Sequence, residues 1–274
     1  MRFTWPNGAK CAVALSVEYD AESVEMGFRN YILGTADRGG FSPRYGVPRT
    51  LELLARYDLK ATFFVPAWDA ERHPDSVRRI AEEGHEVAAH GYIHEDFSKL
   101  EANEEKEVFD KAHKILTDIA GSPPRGFRSG AYCRPISPNT LRFAHELGYI
   151  YDSSFLDDDE PYQVKIGDNA VNMIEIPWAW VLNDLTFLCK QSSPGMGLVL
   201  PTRTPAWILE VWKEEFDSLY EEVGFFTLII HPTEIGYGSR MPLLEGIIRF
   251  IKGYPDVWFA TYGEIADRCL KQLR

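Results

Sequence analysis

The stretch Glu86-Val87-Ala88-Ala89-His90-Gly91-Tyr92-Ile93-His94 is a short apolar run that ends on two imidazoles four residues apart. Spacing i, i+4 would stack the two rings on one face of a helical turn, where they could grip one metal ion. Alone, a pair of this kind is a weak signal in a chain with 7 histidines. Its weight comes from two other stretches built the same way. Ala12 to Asp20 runs apolar and then ends on the carboxylates Glu18 and Asp20, and Phe225 to Ile230 runs apolar and then ends on His231. Three apolar segments that each finish on a potential ligand or acid/base group are not a core pattern.

Apolar runs rich in Val, Ile, Phe and Tyr recur beyond these three, over 61–65, 126–128, 149–152, 173–176 and 257–260. Apolarity on both faces is the mark of buried parallel strands. Amphipathic helical stretches lie between them over 47–57, 74–83, 102–119, 138–147, 205–223, 242–251 and 263–273. Ser137-Pro138, Thr204-Pro205 and Met241-Pro242 read as helix entries, with proline near the first helical position. The alternation predicts an α/β fold, a closed, distorted (β/α) barrel with about seven or eight parallel strands in a single domain over 1–274. Reactive groups in such barrels sit at the C-terminal ends of strands, which is where Asp20, His90, Arg128 and His231 fall. The stretches 26–45, 156–171 and 182–203 read as long irregular loops that build a substrate mouth.

At 274 residues the chain can bury a full core. A net charge of -12, from 29 Lys and Arg against 41 Asp and Glu, argues against nucleic acid or an anionic membrane as partner. No apolar stretch approaches the ~18 residues of a membrane span, and the first residues lead into no signal-peptide core, so a cytoplasmic location is expected. Cys11, Cys133, Cys189 and Cys269 form no CxxC pair and read as small apolar filler, with Cys133 set apart by its place among candidate site residues. No glycine-rich phosphate loop is present.

In Glu18-Tyr19-Asp20 the two carboxylates point to the same side of a strand end. One can join His90 and His94 as a metal ligand, leaving a position open for water, while the other takes a proton as general base. The plainer alternative is a capping or salt-bridging pair. His231, at the edge of an apolar strand, suits protonation of a leaving nitrogen. Arg128 could orient the base or hold an anionic substrate, or form a surface salt bridge.

Taken together these segments resemble the polysaccharide deacetylase (NodB-like) superfamily from about Cys11 to Ile265. Its usual motifs, Thr-Phe-Asp-Asp-Gly, His-Ser/Thr-x-x-His, Arg-x-Pro-Tyr and Leu-x-His, correspond to Ser16-Val17-Glu18-Tyr19-Asp20, His90 to His94, Arg128-Ser129-Gly130-Ala131-Tyr132 and Ile229-Ile230-His231. Ala61-Thr62-Phe63-Phe64-Val65-Pro66, Gly84-His85-Glu86, Tyr151-Asp152-Ser153-Ser154 and Glu175-Ile176-Pro177 are similar to an intracellular branch. That branch holds peptidoglycan-deacetylase-like proteins, cyclic imide hydrolases and metal-independent allantoinases. The resemblance implies Glu18 as base and Asp20, His90 and His94 as ligands of a divalent metal, zinc first. Two departures stand out: glutamate replaces the usual aspartate at 18, and Ser129-Gly130-Ala131 stands where prolines are common.

The expectation is a metal-dependent hydrolase of a non-peptide C–N amide bond, with Glu18, His231 and Arg128 catalytic and Tyr132 and Trp180 binding substrate. A small cyclic amide, imide or ureide is favoured over an N-acetylated sugar. A homo-oligomer is expected, since long mouth loops can meet a neighbouring subunit. The competing class is a non-catalytic sugar- or metabolite-binding barrel that has lost activity, motivated by Glu18 and the altered third motif. Retention of Asp20, His90, His94 and His231 argues against it.

Overall fold

A computed structural model describes residues 2–28, 39–130, 136–188 and 203–273. Its centre is β1 (Cys11–Glu18), in which every residue is buried. Alternate side chains of a strand face opposite ways, and here the two faces meet different surroundings. Val13, Leu15 and Val17 pack into the large cluster that includes the flanking helices. Ala12 and Ala14 face inward, in a second cluster with Phe64, Ala88 and Ile174. Continuing up that inner face, the small alanines give way to Ser16, Glu18 and Asp20. The inner face of β1 is therefore apolar at the base and polar at the top.

The neighbours of β1 are β2 (Thr62–Val65) and, on its other edge, β8 (Phe225–Ile230), both parallel. From β2 the sheet continues through β3 (Glu86–Ala89), β4 (Gly126–Phe127), β5 (Tyr151–Asp152) and β7 (Asn169–Glu175). It ends on β6 (Tyr162–Ile166), antiparallel to β7. The short β9 (Val257–Phe259) pairs with the N-terminal half of β1, Cys11 to Val13, below the segment Ser16 to Glu18 that pairs with β2. Gly126 is required where β4 meets β5, because a Cβ there would lie 2.2 Å from the Tyr151 ring.

The mostly parallel sheet curls as expected, but closure does not follow. Among the described residues no ladder joins β8 to β6, and the outer edge of β8 is met only by a bridge from Asn183 to Ile229. The stretch 156–171 is also not a loop, since it holds the β6–β7 hairpin turned at Gly167, whose φ is +61°.

Helices cover the outer face. The helix Pro205–Glu222 is capped by the Thr204 side chain, which accepts from the Trp207 N–H. The helix Tyr262–Gln272 opens with a reciprocal capping box between Thr261 and Glu264 and places Ile265, Ala266 and Cys269 under the base of the barrel. Cys11 and Cys269 are buried free thiols, each pushed up to about 12 by burial, which makes them inert filler. Cys133 and Cys189 lie outside the described residues.

Candidate metal-dependent active site

The open ends of β1, β3, β4 and β8 bring Glu18, Asp20, His90, His94, Arg128 and His231 into one buried cluster. The two histidines do not share a helical turn. His90 follows β3 directly, and the chain then reverses through Gly91, with φ +75°, so that His94, with φ +67°, folds back over it. The ring centroids are 5.2 Å apart and nearly perpendicular. Spacing four was the right pattern for a different reason: a tight loop, not a helix, supplies the convergence. The loop is held by Glu95, whose two oxygens accept the N–H groups of Tyr92 and Ile93 at 2.9 Å each.

His90 faces the centre with Nε2, because its Nδ1 sits 2.9 Å from the Arg128 carbonyl and must donate there. Asp20 Oδ1 stands 3.7 Å from His90 Nε2, and Asp20 Oδ2 stands 3.9 Å from His94 Nε2. These separations exceed a hydrogen bond. Asp20 Oδ1 and His90 Nε2 are buried, and neither has a hydrogen-bond partner. Leaving such groups unmatched is costly, whereas ligands about 2.0–2.2 Å from a tetrahedral ion stand roughly 3.4 Å from one another. The donor atoms of Asp20, His90 and His94 lie within 4.8 Å of one another, so the set fits a small divalent cation with little movement.

The electrostatics of His94 agree with that use, whereas at His90 burial is outweighed by the Glu18 and Asp20 carboxylates, which raise the ring and hold on it a proton that a bound cation would displace. Burial, with the His90 charge next to it, lowers the His94 ring to about 3, which keeps it neutral and able to ligate. Burial, against the pull of His90 and reinforced by the Glu18 charge, raises the Asp20 carboxyl to about 6. A cation between them would reverse that penalty.

Glu18 lies against Arg128, His90 and His231. Its Oε1 accepts from Arg128 at 2.8 Å, and its Oε2 is 3.3 Å from His90 Nε2 and 3.4 Å from His231 Nε2. Burial pushes its carboxyl up, but His90, His231 and Arg128 together outweigh this and hold it well below the usual carboxylate range. Arg128 is no surface ion pair. It is buried, and its remaining donors go to the Ser16 hydroxyl at 2.6 Å, the Ser153 carbonyl and hydroxyl at 2.9 and 2.8 Å, and the Tyr262 hydroxyl at 2.9 Å. A planar fork with every donor satisfied fixes the carboxylate it holds.

His231 is paired with a residue that sequence reasoning missed. Asp184 Oδ1 is 2.7 Å from His231 Nδ1, and its Oδ2 accepts the His231 backbone N–H at 2.8 Å. Burial opposes charging of the ring, but Asp184 and Glu18 overcome it and raise His231 to about 10. Trp180 lies edge-on to Trp178 at 4.9 Å, in the turn Trp180–Leu182 that leads to Asp184. Tyr132 lies outside the described residues, as do much of the stretches 26–45 and 182–203.

The family model for polysaccharide deacetylases matches residues 29–151. A peptidoglycan deacetylase of Helicobacter pylori is 31% identical over 86% of this chain and 87% of its own length. The chain belongs to the polysaccharide deacetylase family. It is therefore a hydrolase of the class that cleaves carbon–nitrogen amide bonds. A peptidoglycan deacetylase-like protein of Gibberella zeae is 28% identical over 94% of this chain and 86% of its own. Among solved structures, a Mycobacterium smegmatis chain assigned as a polysaccharide deacetylase superposes with TM-score 0.91 at 32% identity, covering 100% of this chain and 95% of that one. PuuE allantoinase superposes with TM-score 0.80 at 27% identity, covering 96% and 91%.

Proposed function

We propose that this deacetylase hydrolyses the amide of an N-acetylated sugar, with one divalent cation, zinc by preference, held by Asp20, His90 and His94. The observation that carries this reading is the division of the cluster. Asp20 Oδ1 and His90 Nε2, both buried and without a hydrogen bond, converge with His94 Nε2, while a glutamate held ionised and a histidine held charged stand beside them. The cation would polarise the amide carbonyl and acidify a water beside it. Glu18, kept ionised and oriented by Arg128, receives the proton of that water at Oε2. His231, oriented by Asp184 and carrying its proton on Nε2, donates it to the departing nitrogen. The curated relatives named for peptidoglycan deacetylation cover most of this chain, which supports the glycan class.

Trp180, and Tyr132 beyond the described residues, belong to this proposal as substrate contacts. A single domain, a cytoplasmic location and a homo-oligomer belong to it as well. No described helix is long and apolar enough to cross a membrane.

A second substrate class, a small cyclic amide, imide or ureide, is favoured by the likeness to PuuE allantoinase. The deciding experiment measures acetate release from N-acetylglucosamine oligomers beside ring opening of allantoin, hydantoin and succinimide, each before and after chelation and zinc restoration. Turnover of the oligomers that is lost on chelation and restored by zinc supports the proposal. Faster turnover of any cyclic compound moves the substrate to the second class, and activity indifferent to chelation overturns the metal.

A further inference from the structure

The two loops that carry the ligands are tied to one another by a short helix that no part of the mechanism uses. Ala67–Arg72 begins where β2 ends, between the ends of β1 and β3. Its first two N–H groups, which have no partner inside a helix, donate to the carbonyls of Gly91 and Tyr92 at 3.1 and 2.8 Å, between His90 and His94. Its third residue, Asp69, is fully buried and turns to the other loop. Asp69 Oδ2 accepts the Ala21 N–H at 2.9 Å and the Ser23 hydroxyl at 2.5 Å, and Oδ1 accepts the Ser23 N–H at 2.9 Å. One helical turn thus grips the chain just after Asp20 with a carboxylate and the chain between His90 and His94 with backbone N–H groups.

The grip matters because both loops hold a ligand in a conformation that a non-glycine residue avoids. Asp20 has φ +24° and His94 has φ +67°. Such residues persist only where the surroundings over-determine them. For Asp20 the bonds to Asp69 begin at the very next peptide. We infer that Asp69 is a positioning residue for the metal site, setting the distance between the Asp20 carboxylate and the two imidazoles. The inference rests on the reading of Asp20, His90 and His94 as the ligands of a divalent cation.

The test compares zinc affinity, measured by competition with a chromophoric chelator, and the visible absorption of the cobalt(II)-loaded protein, for wild type, D69A and I251A. Ile251 is a fully buried core residue of the helix Met241–Lys252 and serves as a control for general destabilisation. The expected result is a loss of roughly 10- to 100-fold in affinity and an altered cobalt spectrum for D69A, with I251A at the wild-type values for both. Wild-type affinity and spectrum in D69A overturn the positioning role and leave the metal reading standing. Equal losses in D69A and I251A overturn it too, because stability alone would then explain them. A wild-type protein that binds neither metal overturns the metal reading itself, and the positioning role with it.

Discussion

Asp184 and His231 are joined twice, once through the ring at 2.7 Å and once through the backbone N–H at 2.8 Å, so one carboxylate sets both the tilt of the imidazole and the peptide that carries it. A ring held through Nδ1 can present its proton only on Nε2, toward Glu18 and Asp20. Asp184→Asn should lower turnover of amide substrates by roughly 10²-fold or more, since the amide can offer its NH₂ to the ring and reverse the tautomer. His231→Ala should do the same to amides while sparing an activated ester, whose leaving group departs without a proton. Equal losses on both substrates would assign the ring to binding or structure instead.

Glu18→Gln keeps the size and an acceptor for Arg128 but removes the charge proposed to take the proton. Activity should fall by roughly 10²-fold or more with zinc stoichiometry intact. Metal analysis of the purified variant checks the second half: a stripped metal would show that Glu18 shares in ligation with Asp20.

Alanine at Asp20, His90 or His94 should abolish stoichiometric zinc binding while the far-ultraviolet circular dichroism stays that of the parent. Each removes one of the three proposed ligands, and two of the atoms involved, Asp20 Oδ1 and His90 Nε2, are buried without hydrogen bonds. Retained one-to-one binding in all three variants would rule out this ligand set.

Outside the site, His85 gives a pH dependence of stability. Its Nδ1 accepts the Ala61 N–H at 3.1 Å, a bond that only the neutral ring can make, and burial, helped by Lys60, lowers it to about 4. In the unfolded chain the ring titrates near ~6.5. The unfolded state therefore binds the extra proton between these two values, so stability is fully present above about 6.5 and falls as pH drops from there toward 4. The slope is up to about 1.4 kcal/mol per pH unit for this one group. Urea denaturation at pH 7.5 and 5 should show a smaller loss for His85→Asn than for wild type; an equal loss would remove His85 as a cause.

The residues gathered in the buried cluster were legible because each closes an apolar run: Glu18 and Asp20 after β1, His90 after β3, Arg128 after β4 and His231 after β8. What could not be read locally are the groups that orient them. Asp184 meets His231 across 47 residues from a segment with no periodicity, and Tyr262 reaches Arg128 from the start of a helix 134 residues away. Two misreadings had signals that could have corrected them. Gly91 inside His90 to His94 is a poor helix residue and marks a turn. Gly167-Asp168, set between the polar-apolar alternation of 162–166 and 169–175, is a hairpin signature hidden by the strands' partly exposed faces. The alternation of strands and helices foretold the curled, distorted barrel, but it does not say whether the two edge strands, β6 and β8, meet.

The register of β1 also dictates when the molecule can be finished. This strand is translated long before two of its partners: one edge waits for Phe225 to Ile230 and part of the other for Val257 to Phe259. Parallel pairing across more than 200 residues makes for slow folding, and a ribosome emits roughly 5–20 residues per second. For ten seconds or more, by that estimate, Ala12 to Val17 is an apolar edge with nothing to pair with. A nascent chain of this kind should depend on chaperones for its yield, and a version ending before residue 225 should aggregate rather than survive as a smaller domain.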